Sequence, residues 1–227
     1  MNAMRSSPLH DRLERLQPTW DELNGMPIAT QLGASGGSAV ELADLSALER
    51  TGLKGPGAAD WLRSKHLPMP ERPNAWSPLD AGILARLGRG EFLIEDAPGG
   101  STAATVRAGL SSFAAAGVYP VLRQDAALLV RGKRVRELLV QVCNIDFSAT
   151  SPQERAVTLT MMAGVSVTIL QPHLDDVTCY RIWCDGTFAA YLWDTLSEIA
   201  SELGGGPVGL AAVPAAAVGQ RITRLRR

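Results

Sequence analysis

Cysteine is scarce in this chain. Only Cys143, Cys179 and Cys184 occur among its 227 residues, with no CxxC pair, which excludes a disulfide framework and a cysteine zinc site. Free thiols suit a reducing compartment, so a cytoplasmic location is expected. Charge of one sign is missing too: 22 Lys and Arg stand against 23 Asp and Glu, and no broad field draws in nucleic acid or an anionic membrane. No apolar run approaches the ~18 residues of a membrane span. The N-terminal MNAMRSSPLHDRLERL also lacks the apolar centre of a signal peptide. A soluble, intracellular protein is the expectation.

What is present is ordinary globular material. Hydrophobic residues make up 46% and charged residues 20%, enough for one large domain or two small ones. Residues 1–32 read as an arm, with Leu9, Leu13 and Leu16 at helical spacing before Pro18, Gly25 and Pro27 break the pattern. GASGGS at 33–38 reads as a hinge, residues 33–204 as the folded body, and 205–227 as an irregular, surface-lying Gly/Ala/Pro-rich tail. The tail ends in Arg221, Arg224, Arg226 and Arg227. A solvated end is expected there, with an acidic partner or phosphate as the other possibility.

Within 33–204 two stretches echo each other. The first runs LERTGLKGPGAADWLRSKHL, ILARLGRGEFLIED and STAATVRAGLSSFAAAG; the second runs ALLVRGKRVRELLVQVCNID, GVSVTILQ, VTCYRIWCD and the helix beginning CDGTFAAYLWDTL. Each reads strand, glycine, helix, two strands, helix. Gly55 and Gly132 mark the strand-to-helix switches, and Pro56 suits a first helical position. Gly88 and Gly90 turn one hairpin; Pro172 with Asp175-Asp176 turns its counterpart. Two such units predict an α+β fold of pseudo-duplicated, ferredoxin-like halves with antiparallel sheets and helices on one face.

Catalytic groupings are sparse. His10, His66 and His173 fall in separate elements without the HExxH or HxH spacing of ligand pairs, and neither a GxSxG elbow nor a P-loop occurs. Asp175-Asp176 is read as a turn pair. Cys179 and Cys184 lie an odd number of positions apart on one strand, so they face opposite ways and are read as inert, buried thiols. No catalytic, cofactor-binding or metal-binding residue is assigned.

A family resemblance rests on particular segments. DLSALERTGLKGPGAADWL (44–62) resembles an aminomethyltransferase signature, and LLVRGKRVRELLVQVCNIDFS onward to ELG (128–204) resembles the gamma subunit of heterotetrameric sarcosine oxidase, most closely at FAAYLWDTL (188–196). The likeness spans about 40–204. It implies an aminomethyltransferase-type folate-binding-domain fold in a non-catalytic companion of alpha, beta and delta subunits. In that assembly N-methyl amines such as sarcosine are oxidised. FAD, FMN, NAD and tetrahydrofolate would then belong to the partner chains, with none bound by this chain alone. The alternative is a stand-alone, tetrahydrofolate-binding aminomethyltransferase-like protein. Against that, the family's GG-x-x-D-D segment aligns with MMAGVSVTILQ, where Val165, Ser166, Val167 and Thr168 follow Gly164 and no carboxylate stands.

The helix of residues 186–203 sets the interface expectation. A wheel at about 100° per residue groups Phe188, Leu192, Leu196, Ile199 and Leu203 as core. Trp193 falls about 140° from Phe188 on that wheel. Two placements stay open for it: packing under the arm or tail, or meeting another chain. Trp193, Tyr191 and Trp20 are therefore the expected partner-contact residues.

Overall fold

The computed structural model describes residues 5–33, 37–112, 115–149, 151–172 and 177–219. Half of GASGGS (34–36), His173, Asp175-Asp176 and the terminal arginines lie outside the described residues. In chain order the elements begin α1 (His10–Glu14), β1 (Thr19–Leu23), β2 (Met26–Gln31), β3 (Glu41–Asp44), β4 (Arg50–Lys54), α2 (Ala58–Ser64), β5 (Ala75–Leu79), β6 (Gly82–Arg86), β7 (Glu91–Asp96) and α3 (Thr102–Ser112). They continue with β8 (Tyr119–Val121), β9 (Ala126–Arg131), α4 (Val135–Val142), β10 (Val157–Met162), β11 (Val165–Leu170), β12 (Cys179–Cys184), α5 (Ala189–Glu202) and β13 (Gly206–Pro207).

The chain divides into two compact units. The first takes the described residues up to Ala47, then Gln124–Glu154 and Thr158–Val213; the second takes Leu48–Arg123, Arg155–Val157 and the described residues from Pro214. The first unit carries a sheet of order β10-β11-β12-β9-β3-β13, the second a sheet of order β5-β6-β7-β4-β8. Each unit runs from a strand through a glycine to a helix, then three strands, then a longer helix. The duplication expected from the sequence is therefore present, with one strand more per copy.

Those extra strands, β5 and β10, evade a sequence reading for separate reasons. Pro78 sits inside β5 and reads as a breaker, yet β5 is an edge strand, where a missing N–H costs no ladder bond. The β10–β11 turn is Ala163-Gly164, both at positive φ (47° and 82°), and alanine gives no turn signal there.

Gly55 and Gly132 perform the same task in the two units. Their φ angles are 123° and 138°, and an added Cβ would stand 2.2 Å from the Gly117 and Ala39 carbonyl oxygens respectively. No side chain fits at either switch. Pro56 departs from its expected place. Because Gly57 and Ala58 donate to the Gly117 and Gly55 carbonyls (3.0 and 3.2 Å), the chain completes a turn first, and α2 starts at Ala58 with Gly57 as its cap.

Burial puts the helices of each unit on one sheet face. In the first unit Leu128, Val130, Tyr180 and Ile182 pack with Leu138, Leu139, Leu192 and Leu196. In the second, Leu53, Leu84, Phe92 and Ile94 pack with Ala58, Leu62, Ala103 and Val106. The sheets pair mainly antiparallel, as the α+β reading requires.

Both ends of the chain differ from expectation. The stretch broken by Pro18, Gly25 and Pro27 is an antiparallel hairpin, β1–β2, turned at Asn24-Gly25 with φ of 53° and 73°. Asn-Gly is the strongest short hairpin signal, and Asn24 Nδ2 further donates to the Ala47 carbonyl at 2.9 Å. The Gly/Ala/Pro-rich tail is likewise not merely superficial: β13 pairs in parallel with β3, and Ala217 and Val218 are buried. Glycine explains it. A Cβ on Gly205 or Gly209 would collide with the backbone at Val40 or Thr30, so the tail fits against the first unit because it has no side chains there. Among the described residues no helix is long and apolar enough to cross a membrane.

Candidate partner interface

The helix α5 is built at its start by Asp185. Its carboxylate accepts from the Thr187 N–H at 2.8 Å and the Thr187 hydroxyl at 2.6 Å, capping a short 3-10 turn that leads into the helix. These hydrogen bonds hold the Asp185 carboxyl below its ordinary value.

Trp193 takes the intrachain placement. Its side chain is only 2% exposed and shares a core with Leu9 and Leu13 of the N-terminal segment. The Arg12–Asp194 ion pair at 3.0 Å ties α1 to the neighbouring position of α5. The wheel misplaced the arc because it was anchored on Phe188, which is the N-cap of α5 and 53% exposed. The buried arc runs through Ala189, Leu192, Trp193, Leu196 and Ala200, spaced three to four residues apart. Trp193 belongs to that arc and leaves nothing for a partner to touch.

Trp20 is also held within the chain, half-buried, its ring stacked on His10 with centroids 4.6 Å apart. Tyr191 alone among the three expected contact residues is open, at 55% exposure. Its hydroxyl donates to the Ala163 carbonyl at 3.1 Å, and the Ala163 N–H donates to the Val142 carbonyl at 2.7 Å. This relay fixes α5, the β10–β11 turn and the end of α4 together.

The same elements present apolar groups that the sequence reading missed. Helix α4 buries Val135, Leu138 and Leu139 but turns Val140 outward, 75% exposed where a polar residue is usual. Ile145 is exposed just beyond it. Beside Val140 lies a cleft of about 500 Å3 floored by Leu139, Cys143, Ile145 and Phe147 and rimmed by Arg136 and Asp146. Phe147 makes an edge contact with buried Tyr180 at 5.3 Å, which fixes the floor. Exposed aliphatic and aromatic groups inside a charged rim are what a protein contact surface looks like. The available signal was Val140, an apolar residue on the polar side of an amphipathic helix.

The remaining candidates do not assemble. His10 stacks on Trp20, while His66 follows α2 at a φ of 56°. Cys184 faces the core beside Tyr180 and Ile182. Burial pushes its thiol up to about 11 and that of Cys179 up to about 12. Among the described residues no group of three or more His, Cys, Asp or Glu could hold a metal ion. Buried charge does occur, unanticipated, in the second unit: Arg50 on β4 pairs with Glu95, its register partner on β7, at 3.3 Å with both side chains excluded from solvent. Strands that interrupt apolar runs with a charge, as in FLIED, are the signal for it.

No family model matches the chain, and no curated protein matches it. Solved structures do. The glycine cleavage system aminomethyltransferase T of Bartonella henselae superposes with a TM-score of 0.71 at 16% identity, over 92% of this chain and 61% of that one. A chain of the heterotetrameric sarcosine oxidase of Corynebacterium sp. U-96, solved with pyrrole 2-carboxylate, gives 0.66 at 17% identity over 91% of this chain and 100% of that one. This chain thus spans about three fifths of the aminomethyltransferase and the whole of the sarcosine oxidase chain. At such identities the likeness establishes the fold, that of the aminomethyltransferase type.

Proposed function

We propose that this protein is a non-catalytic, gamma-like subunit of a sarcosine-oxidase-type N-methyl amine oxidoreductase, binding a large alpha-type chain. The observation that carries the reading is the fold likeness to a chain of a heterotetrameric sarcosine oxidase along that chain's whole length. The exposed surface at Val140, Ile145 and Tyr191 supports it by supplying a place for a partner. The flavins, NAD and tetrahydrofolate chemistry then reside in the alpha, beta and delta chains, and this subunit contributes assembly. Val140→Glu tests the surface, since a buried unpaired carboxylate weakens an interface without touching the core. The variant should fold like the wild type and lose the partner; retention of the partner would contradict the assigned surface.

A second reading, a tetrahydrofolate-binding aminomethyltransferase-like protein, draws on the 0.71 likeness to the Bartonella henselae enzyme. Titrating the isolated chain with tetrahydrofolate separates the two. Saturable binding favours the second reading, and silence favours the first.

A further inference from the structure

In the second unit the helices α2 and α3 do not close on each other. They share one core beneath, through Ala58 and Leu62 of α2 and Ala103 and Val106 of α3. Above it a cleft of about 340 Å3 remains, within the size range of small-molecule sites. The sequence explains the gap. Thr102, Thr105 and Gly109 fall on one face of α3 at helical spacing, all small, opposite Trp61 and Lys65 of the α2 segment. A Cβ at Gly109 would meet the Trp61 ring at 3.3 Å, so glycine there gives the indole its room.

The lining has two characters. Trp61, Leu67 and Val106 form an apolar wall, the first two partly buried against the core. Lys65 and the hydroxyls of Ser101 and Thr102 supply donors, and among the described residues no acidic side chain lines the cleft. The Lys65 ammonium stands 5.2 Å from the Trp61 ring centroid, and among the described residues it has no ion-pair partner. The Thr102 and Ala103 N–H groups are already taken by the Asp96 carboxylate, at 3.1 and 2.8 Å. The helix end is therefore closed, and the cation at the site is Lys65.

We propose that this cleft binds a small aromatic carboxylate, its ring against Trp61 and Val106 and its carboxylate on Lys65 and the Ser101 hydroxyl. An indole wall beside an unpaired ammonium suits a flat apolar body carrying one negative charge. The site is independent of the assembly reading, because it uses only α2, α3 and the residues that flank them.

Indole-3-acetate and tryptamine, which share a ring and differ in charge, test it by amide and indole N–H shifts in protein-observed NMR. Indole-3-acetate should give saturable shifts centred on Trp61 and Gly109, at least about tenfold tighter than tryptamine. Lys65→Ala should weaken it about tenfold. Thr105→Leu, at an exposed helix position, should fill the cleft and abolish binding with an unchanged melting temperature. Absence of saturation, equal binding of the two compounds, or undiminished binding to Thr105→Leu would each overturn the proposal.

Discussion

Trp193 shows how one residue's role turns on a single packing partner. A tryptophan beside Asp194 reads as exposed until the N-terminal segment is placed, and Leu9 and Leu13 then convert it to core. Trp193→Ala should cost about 3–5 kcal/mol, as large-to-small core changes do, read as a lowered urea midpoint of the isolated chain. A variant with unchanged stability and altered association would put Trp193 back on the surface. The cysteines belong to this scale as well. Cys179 and Cys184 should resist thiol reagents until the protein unfolds, since their ionisation lies near 12 and 11 against an ordinary 9.0. With folded values raised, their contribution to stability is complete below about pH 9 and is lost as pH rises through 11 and 12. Replacing both by alanine should flatten that alkaline loss in pH-dependent denaturation. Asp185 works in the opposite direction, its stabilisation fading as pH falls below the ordinary carboxyl value of 3.8.

Elements were legible where backbone chemistry forces a residue type and illegible where context decides. Gly55 and Gly132 announced the duplicated strand-to-helix switch because positive φ and a nearby carbonyl leave no alternative to glycine. Gly132→Ala should therefore cost about 2 kcal/mol or more, measurable by chemical denaturation, whereas alanine at Gly88 meets nothing closer than Glu91 Cβ at 4.0 Å and should be mild. Strands β5 and β10 were hidden for the converse reason. Pro78 is tolerated only because β5 lies at a sheet edge, and Ala163 adopts φ 47° only because its N–H and C=O are held by Val142 and Tyr191. The hairpin at Asn24-Gly25 carried its signal in the dipeptide, although the stretch reads as a broken arm when Gly25 is taken only as a breaker. The tail carried no such signal, since its parallel pairing with β3 joins segments far apart in sequence.

For the whole molecule, the duplicated α+β plan was visible in the sequence, and the likeness to aminomethyltransferase T and to a sarcosine oxidase chain agrees with it. Of the residues expected to meet a partner, Tyr191 is exposed, while Trp20 and Trp193 serve the chain's own packing. Val140 on α4 and Ile145 just beyond it are exposed instead, and for Val140 the reason is that what a helix leaves outward depends on which face the sheet covers. The companion-subunit role is our proposal for this fold. Its most direct test is size exclusion with light scattering on the chain co-expressed with the products of its neighbouring genes, wild type beside Val140→Glu. The wild-type chain should elute in a stable complex with a large flavin-carrying chain, and Val140→Glu should elute alone, folded. A wild-type chain that stays monomeric beside such a partner would contradict it.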